Sequence, residues 1–202
     1  MSDSAIKIEI FRKKTLEEFT KSVSETESPL ESGSSAAAVG AISSALLLRA
    51  AARAAGEKPD DENIAWYVRN AEILRTYLLK LVDEDVKCRN PLRRALKEGD
   101  DRRIEAARQA SVSICLEIIN MMGKCLEMAE ELLSLSSTET VSCLGECADL
   151  AFASSKAASE YLLRTAALSP DDTYRYVIRR ENELTLQEQE SRYLRIRDLL
   201  GV

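Results

Sequence analysis

The stretch Ser28–Gly56, SPLESGSSAAAVGAISSALLLRAAARAAG, constrains the fold more than any other part of the chain. A Pro/Ser/Gly loop runs directly into a helix built from Ala36, Ala37, Ala38, Gly40, Ala41, Ser43, Ser44 and Ala45. Such a helix has almost no side-chain bulk, so another helix, from the same chain or from a second copy, can approach it closely. At its start, Gly33 among Ser32, Ser34 and Ser35 lets backbone N–H groups face outward at a helix N-terminus, where the partial positive charge favours an anion or a carbonyl. One segment therefore carries both a candidate interface and a candidate ligand site.

Helical signals continue along the rest of the chain. Thr15 and Glu18 have the spacing of a capping box for a short helix ending near Ser24, with loop from there to Ser34. The small-residue helix is predicted from about Ser35 to Ala55, with Gly56 as its stop. After Pro59 and Asp60, the positions Ile64, Val68, Ala71, Leu74, Leu78, Leu81 and Val82 keep a three-to-four spacing until Cys88 to Pro91, where proline is expected to end or kink the helix. A fourth helix of roughly thirty residues follows the Gly99-Asp100 break, a length inferred from sustained periodicity. A fifth opens near Ser137 or Thr138 and runs to the Ser169-Pro170 stop. The sixth, from about Asp171 to Leu200, is strongly charged, with a weak apolar stripe at Val177, Leu184, Ile196 and Leu199. No linker or internal repeat interrupts this order, so residues 1–202 read as a single all-α domain, an up-and-down bundle of about six helices, several of them long.

Composition narrows the function. With 28 basic and 34 acidic residues the net charge is −6, which excludes a general nucleic-acid binder because phosphate neutralisation needs a concentrated basic face. No apolar run is read as membrane-spanning and the N-terminus MSDSAIKIEIFRKK is too polar for a signal peptide, so no membrane partner is expected and the location is expected to be cytoplasmic. The five cysteines, Cys88, Cys115, Cys125, Cys143 and Cys147, lack CxxC spacing and read as reduced core thiols. The chain has no histidine, which removes the usual general base near neutral pH and the usual zinc ligand. No metal site is expected, and carboxylates, lysine, hydroxyls and thiols remain for any chemistry.

Four segments together resemble the cyclodeaminase/cyclohydrolase family of tetrahydrofolate one-carbon metabolism, from about Leu16 to Leu200. They are Ser28 to Ala37, with its proline, glycine-containing loop and small-residue helix; Gly56-Glu57-Lys58; the acidic turn Leu81-Val82-Asp83-Glu84-Asp85-Val86; and Thr140-Val141-Ser142-Cys143-Leu144-Gly145. The resemblance implies a helical homodimer that binds a tetrahydrofolate derivative between subunits as substrate, with no prosthetic group. It implies either expulsion of ammonia from a 5-formimino group as the ring closes, or interconversion of 5,10-methenyl and 10-formyl forms. On this reading Asp85, Asp83 and Lys58 carry protons and charge, while Gly33, Ser34, Ser35, Ser142, Cys143 and Arg89 contact the folate.

Departures from the family pattern are chemical rather than architectural. Ser32 and Ser34 stand where the family's loop more often has glycine, Cys143 where an aspartate is expected, and Arg89 and Asn90 where a phenylalanine and an aspartate are common. The late asparagines of the fifth helix fall near Tyr161 and Thr165. These changes imply a diverged member with an altered active site. A non-catalytic homodimer, or a folate-binding or regulatory protein on the same scaffold, is the alternative. Each residue also has a plain structural reading: Asp83 to Asp85 as a solvated face paired with Lys80 and Lys87, Lys58 as a surface lysine, Arg89 with Arg93 and Arg94 as a basic turn, Ser142 as a helix cap and Cys143 as core.

Overall fold

Residues 10–28, 30, 32–135 and 138–201 are described by a computed structural model, without the side chains of residues 138 and 139. The polar segment 1–9, Pro29 and Glu31 of the loop motif, and Ser137 as a helix start lie outside the described residues. A single 3-10 turn, Phe11–Lys13, precedes α1 (Leu16–Ser24), α2 (Ser32–Glu57), α3 (Glu62–Glu98), α4 (Asp101–Leu133), α5 (Thr138–Ala166) and α6 (Asp172–Leu199). Thr15 and Glu18 form the expected capping box at α1, each side chain satisfying the other's backbone N–H. Asp61, Asp100 and Asp171 cap α3, α4 and α6 with side-chain oxygens on the first free N–H groups. Gly99 ends α3 at φ 69°, a left-handed position that glycine occupies without penalty, and returns its N–H to Ala95 at 2.9 Å.

Two boundaries differ from the sequence reading. The helix α2 starts at Ser32 rather than Ser35 and passes through Gly56 to Glu57, because its first turn is held by a carboxylate from α3 that local sequence does not reveal. The helix α3 does not stop at Cys88 to Pro91 but continues through Pro91 to Glu98. Pro91 faces solvent while Leu92 and Ala95 on the inner face are buried. Burying that face outweighs the one hydrogen bond that proline removes.

The bundle is organised around α2. It packs against α3 on one side and α5 on the other, with α4 behind. The small side chains let neighbouring serines reach helix backbone: Ser154 Oγ donates to Ala36 O at 2.8 Å, and Ser43 Oγ donates to Cys147 O at 2.8 Å. These two contacts fix α2 and α5 antiparallel, with the start of one beside the end of the other. At Gly40 a Cβ would lie 3.1 Å from both Met122 Sδ and Ser154 Oγ, so a side chain there requires those neighbours to shift by a few tenths of an ångström. By length and composition α2 is apolar enough to cross a membrane, contrary to the sequence reading; half of that window is buried inside the bundle, the same signature a core helix gives.

Of the stripe expected on α6, only Ile196 lies on the inner face. Val177, Leu184 and Leu199 are exposed, whereas Ile178, Asn182, Gln189 and Ile196 are buried. Two amides occupy the inner face, which a hydrophobic period misses. Gln189 Nε2 donates to Ile119 O at 2.9 Å and its Oε1 accepts from Ser155 Oγ at 2.6 Å; Asn182 Nδ2 donates to Ser159 Oγ at 2.7 Å. Gln189→Ala leaves both a buried carbonyl and a buried hydroxyl without their partner and opens a cavity. It is expected to lower stability by about 2–3 kcal/mol in urea unfolding.

Surface ion pairs also hold α6. Glu130 on α4 accepts from Arg195 Nε at 2.7 Å and Arg192 Nη1 at 3.0 Å. The hydrogen bond from Arg195 holds the Glu130 carboxyl below its ordinary value of 4.5. A carboxylate with a depressed folded pKa contributes in full above its unfolded value and loses that contribution as pH falls through the folded one. Wild type is therefore expected to lose more stability than Glu130→Gln below pH 4.5, by less than about 1 kcal/mol, in urea melts across pH.

The cysteines are free thiols, Cys88 half-buried and the other four buried, as expected of core residues. On the inside of the bundle, Cys125 and Cys147 bring their sulfurs to 3.5 Å with the Ser43 hydroxyl 3.5 Å from each. Their shared hydrogen bond pushes the Cys147 thiol up.

Candidate functional site

The site starts from one carboxylate. Asp85 projects from α3 toward the first turn of α2 and is fully buried. Its Oδ2 accepts from the Ser34 backbone N–H at 2.8 Å and from the Ser34 hydroxyl at 2.7 Å. The same hydroxyl lies 3.2 Å from Val82 O. A helix N-terminus has unpaired N–H groups and partial positive charge, so a carboxylate there satisfies both demands. Gly33 makes the approach possible: a Cβ on it would sit 2.7 Å from Asp85 Cγ and 2.9 Å from Oδ2, and closer still to Oδ1.

Around this contact lie Ser35 and Arg89, both half-buried. The Arg89 guanidinium sits over the Tyr161 ring, 5.2 Å from its centre. Cys115, buried beside them, has its thiol pushed up by burial and further by the Asp85 charge, with Arg89 opposing. Burial likewise raises Cys88, with the Asp85 charge adding to it. One end of the bundle thus gathers Gly33, Ser34, Ser35, Asp85 and Arg89, with Tyr161 from α5 completing the group. Tyr161 was legible only as a departure from the family pattern, and nothing in its own neighbourhood in the sequence marks it as a partner of Arg89.

The other residues singled out in the sequence fall elsewhere. Asp83 lies two residues from Asp85, which on a helix is about 200° around the axis. It accepts from Phe11 N at 2.7 Å and Arg12 N at 3.3 Å and pairs with Arg12 Nε at 3.4 Å, so it anchors the N-terminal 3-10 turn. Beside that turn an apolar cleft of about 330 Å³ opens over Phe11, Ala41, Ile42 and Leu79. Lys58 follows the far end of α2 and is exposed, with Nζ 3.4 Å from Leu135 O. Twenty-five helical rises separate it from Gly33, roughly 37 Å. Ser142 is exposed and Cys143 is buried near the start of α5, at this same far end, where Arg53 Nη1 donates to Cys143 Sγ at 3.9 Å. Arg53 was not singled out; its position beside Cys143 follows from the antiparallel pairing of α2 and α5, which the sequence does not display. Within one chain, the residues assigned to one cleft therefore occupy two opposite ends of the bundle. Among the described residues no group of three or more cysteines and carboxylates is placed to hold a metal ion.

These features define an all-α bundle whose central helix begins against a buried aspartate from its neighbour. Residues 15–182 match the family model described as Formiminotransferase-cyclodeaminase, and the chain belongs to that family. The solved structure of formiminotetrahydrofolate cyclodeaminase from Thermotoga maritima superposes with a TM-score of 0.87 at 22% identity, covering 94% of this chain and 96% of that one. That likeness establishes the fold. No curated protein matches the sequence.

Proposed function

We propose that the chain acts on a tetrahydrofolate one-carbon unit, as a formiminotetrahydrofolate cyclodeaminase or a methenyltetrahydrofolate cyclohydrolase, with an altered active site. The observation that carries this reading is the family match across residues 15–182, joined to the Asp85-anchored start of α2. In the first reaction the folate N10 bonds to the formimino carbon. The N10 proton passes to the formimino nitrogen, which takes a second proton from a donor and leaves as ammonia, and the ring closes as the 5,10-methenyl cation. In the second, water adds to the methenyl carbon, the bond to N5 breaks, a proton is released and the 10-formyl form remains. Both pass through a tetrahedral carbon whose substituents change charge, which calls for fixed donors and a positioned proton carrier.

In this reading Ser35 and the N–H groups of the first turn of α2 face carbonyl or carboxylate oxygens of the folate. Arg89, aligned by the Tyr161 ring, takes a carboxylate. Asp85 is a positioning residue: with no accessible surface, it acts by holding Ser34 and the helix start in place. Lys58, Ser142 and Cys143 join this group only from a second copy of the chain. A homodimer in which the far end of one bundle meets the Asp85 end of the other is part of the proposal. Its support is an apolar face on α3 that the bundle leaves open, with Trp66, Ile73 and Tyr77 exposed by 46%, 61% and 37%. Sedimentation equilibrium is expected to give twice the chain mass, and Ile73→Glu to reduce it to the chain mass.

The second reading, a folate-binding protein without turnover, is favoured by one observation: Asp85 and Ser34 are both wholly buried, so neither touches a ligand. Two assays separate the readings. The cyclodeaminase is expected to release ammonia from 5-formiminotetrahydrofolate, and the cyclohydrolase to bleach the near-ultraviolet band of 5,10-methenyltetrahydrofolate faster than buffer. Saturable heat with folates and no acceleration in either assay would select the binding protein. Neither heat nor turnover would end both readings.

A further inference from the structure

A second cavity, of about 680 Å³, opens between the start of α4, the turn from α5 to α6 and the first turn of α6. Arg108 lines it and is 1% exposed. Glu105 holds two of its nitrogens, Nε at 3.0 Å and Nη2, and the guanidinium lies over the Tyr174 ring at 4.4 Å. The remaining nitrogen, Nη1, is buried and meets no hydrogen-bond acceptor among the described residues. A buried guanidinium donor without an acceptor is unfavourable, and an oxygen brought in by a ligand relieves it.

Charge decides what kind of ligand that is. Asp101, Glu105 and Asp171 line the same cavity against the one arginine, so a plain anion such as phosphate meets net repulsion. The ligand must bring a cationic group along with its acceptor. Leu96 and Leu168, also lining it, are 44% and 43% exposed and give the cavity an apolar flank. We propose that this cavity binds a free α-amino acid with an apolar side chain. The carboxylate sits on Arg108 Nη1, the ammonium faces Asp101 and Asp171, and the side chain lies against Leu96 and Leu168. The site is separate from the start of α2: on α4, Arg108 lies seven residues before Cys115, about 10 Å along the helix.

Isothermal calorimetry on the full chain tests this with L-phenylalanine, with 3-phenylpropanoate and phenethylamine as its two half-ligands, and with inorganic phosphate. Saturable binding of L-phenylalanine is expected, about tenfold or more tighter than either half-ligand, since each lacks one charged contact. Arg108→Met is expected to abolish it. Because that variant alters a buried side chain, Leu168→Trp provides a second arm at an exposed position, expected to fold as wild type and to weaken L-phenylalanine at least about tenfold by filling the flank. Absence of saturable heat with L-phenylalanine, equal or tighter binding of a half-ligand or phosphate, or wild-type affinity in Leu168→Trp would overturn the proposal.

Discussion

Gly33→Ala is expected to destabilise the protein by about 3 kcal/mol and to remove whatever activity or folate binding the chain has. In an exposed helix the same change would stabilise, by up to about 1 kcal/mol, because alanine is the better helix former. Here the added methyl would stand 2.7 Å from Asp85 Cγ. The carboxylate is fully buried and has two hydrogen bonds to Ser34, so it has no free path of retreat. Either the first turn of α2 unwinds or α3 moves away. The sign of the effect should invert when the obstacle is removed. In an Asp85→Ala background, Gly33→Ala is expected to cost little or to stabilise, and a double-mutant cycle by urea unfolding measures the coupling directly. A Gly33→Ala protein as stable as wild type would show that the carboxylate does not press on the helix.

Asp85→Asn carries the second large effect. The amide keeps the shape but gives up the charge on which two Ser34 donors converge, and such charge-assisted bonds contribute about 1.5–3 kcal/mol. On the proposed function, turnover falls at least about tenfold while the protein stays folded, because the first turn of α2 loses its anchor. Asp83→Asn gives the contrast. Its carboxylate holds Phe11 and Arg12 instead, so the change is expected to loosen the N-terminal turn and leave turnover near wild type. Steady-state rates and unfolding midpoints for the pair separate the two aspartates. Equal rate losses would mean that the face of α3 toward α2 has no special part.

Much of the fold was readable because its signals are local. The Thr15–Glu18 capping box, the left-handed Gly99 and the periodic runs of α3 and α4 depend on residues within a turn or two of each other. Where distant parts meet, the reading failed. Pro91 was expected to end or kink the helix, yet the burial of Leu92 and Ala95 carries α3 past it. Gln189 and Asn182 fall outside the apolar stripe expected on α6, yet both are buried with partners on α4 or α5. The same division governs the candidate site. Gly33 and Asp85 were both picked out by the family pattern, and the contact between them explains the glycine. Lys58 and Cys143 were drawn into the same cleft, although an unbroken α2 separates Lys58 from Gly33 by roughly 37 Å. Only an arrangement of two chains can reunite them, and a single sequence does not display it.

On the proposed function, the start of α2 is where this chain meets a folate. The most direct test is a crystal structure of the protein soaked with 5-formyltetrahydrofolate, a stable analogue of 5-formiminotetrahydrofolate. The folate is expected against Ser35 and Arg89 of one chain, with Lys58 of a second chain facing it. Folate bound elsewhere, or an empty α2 terminus at saturating folate, would contradict it.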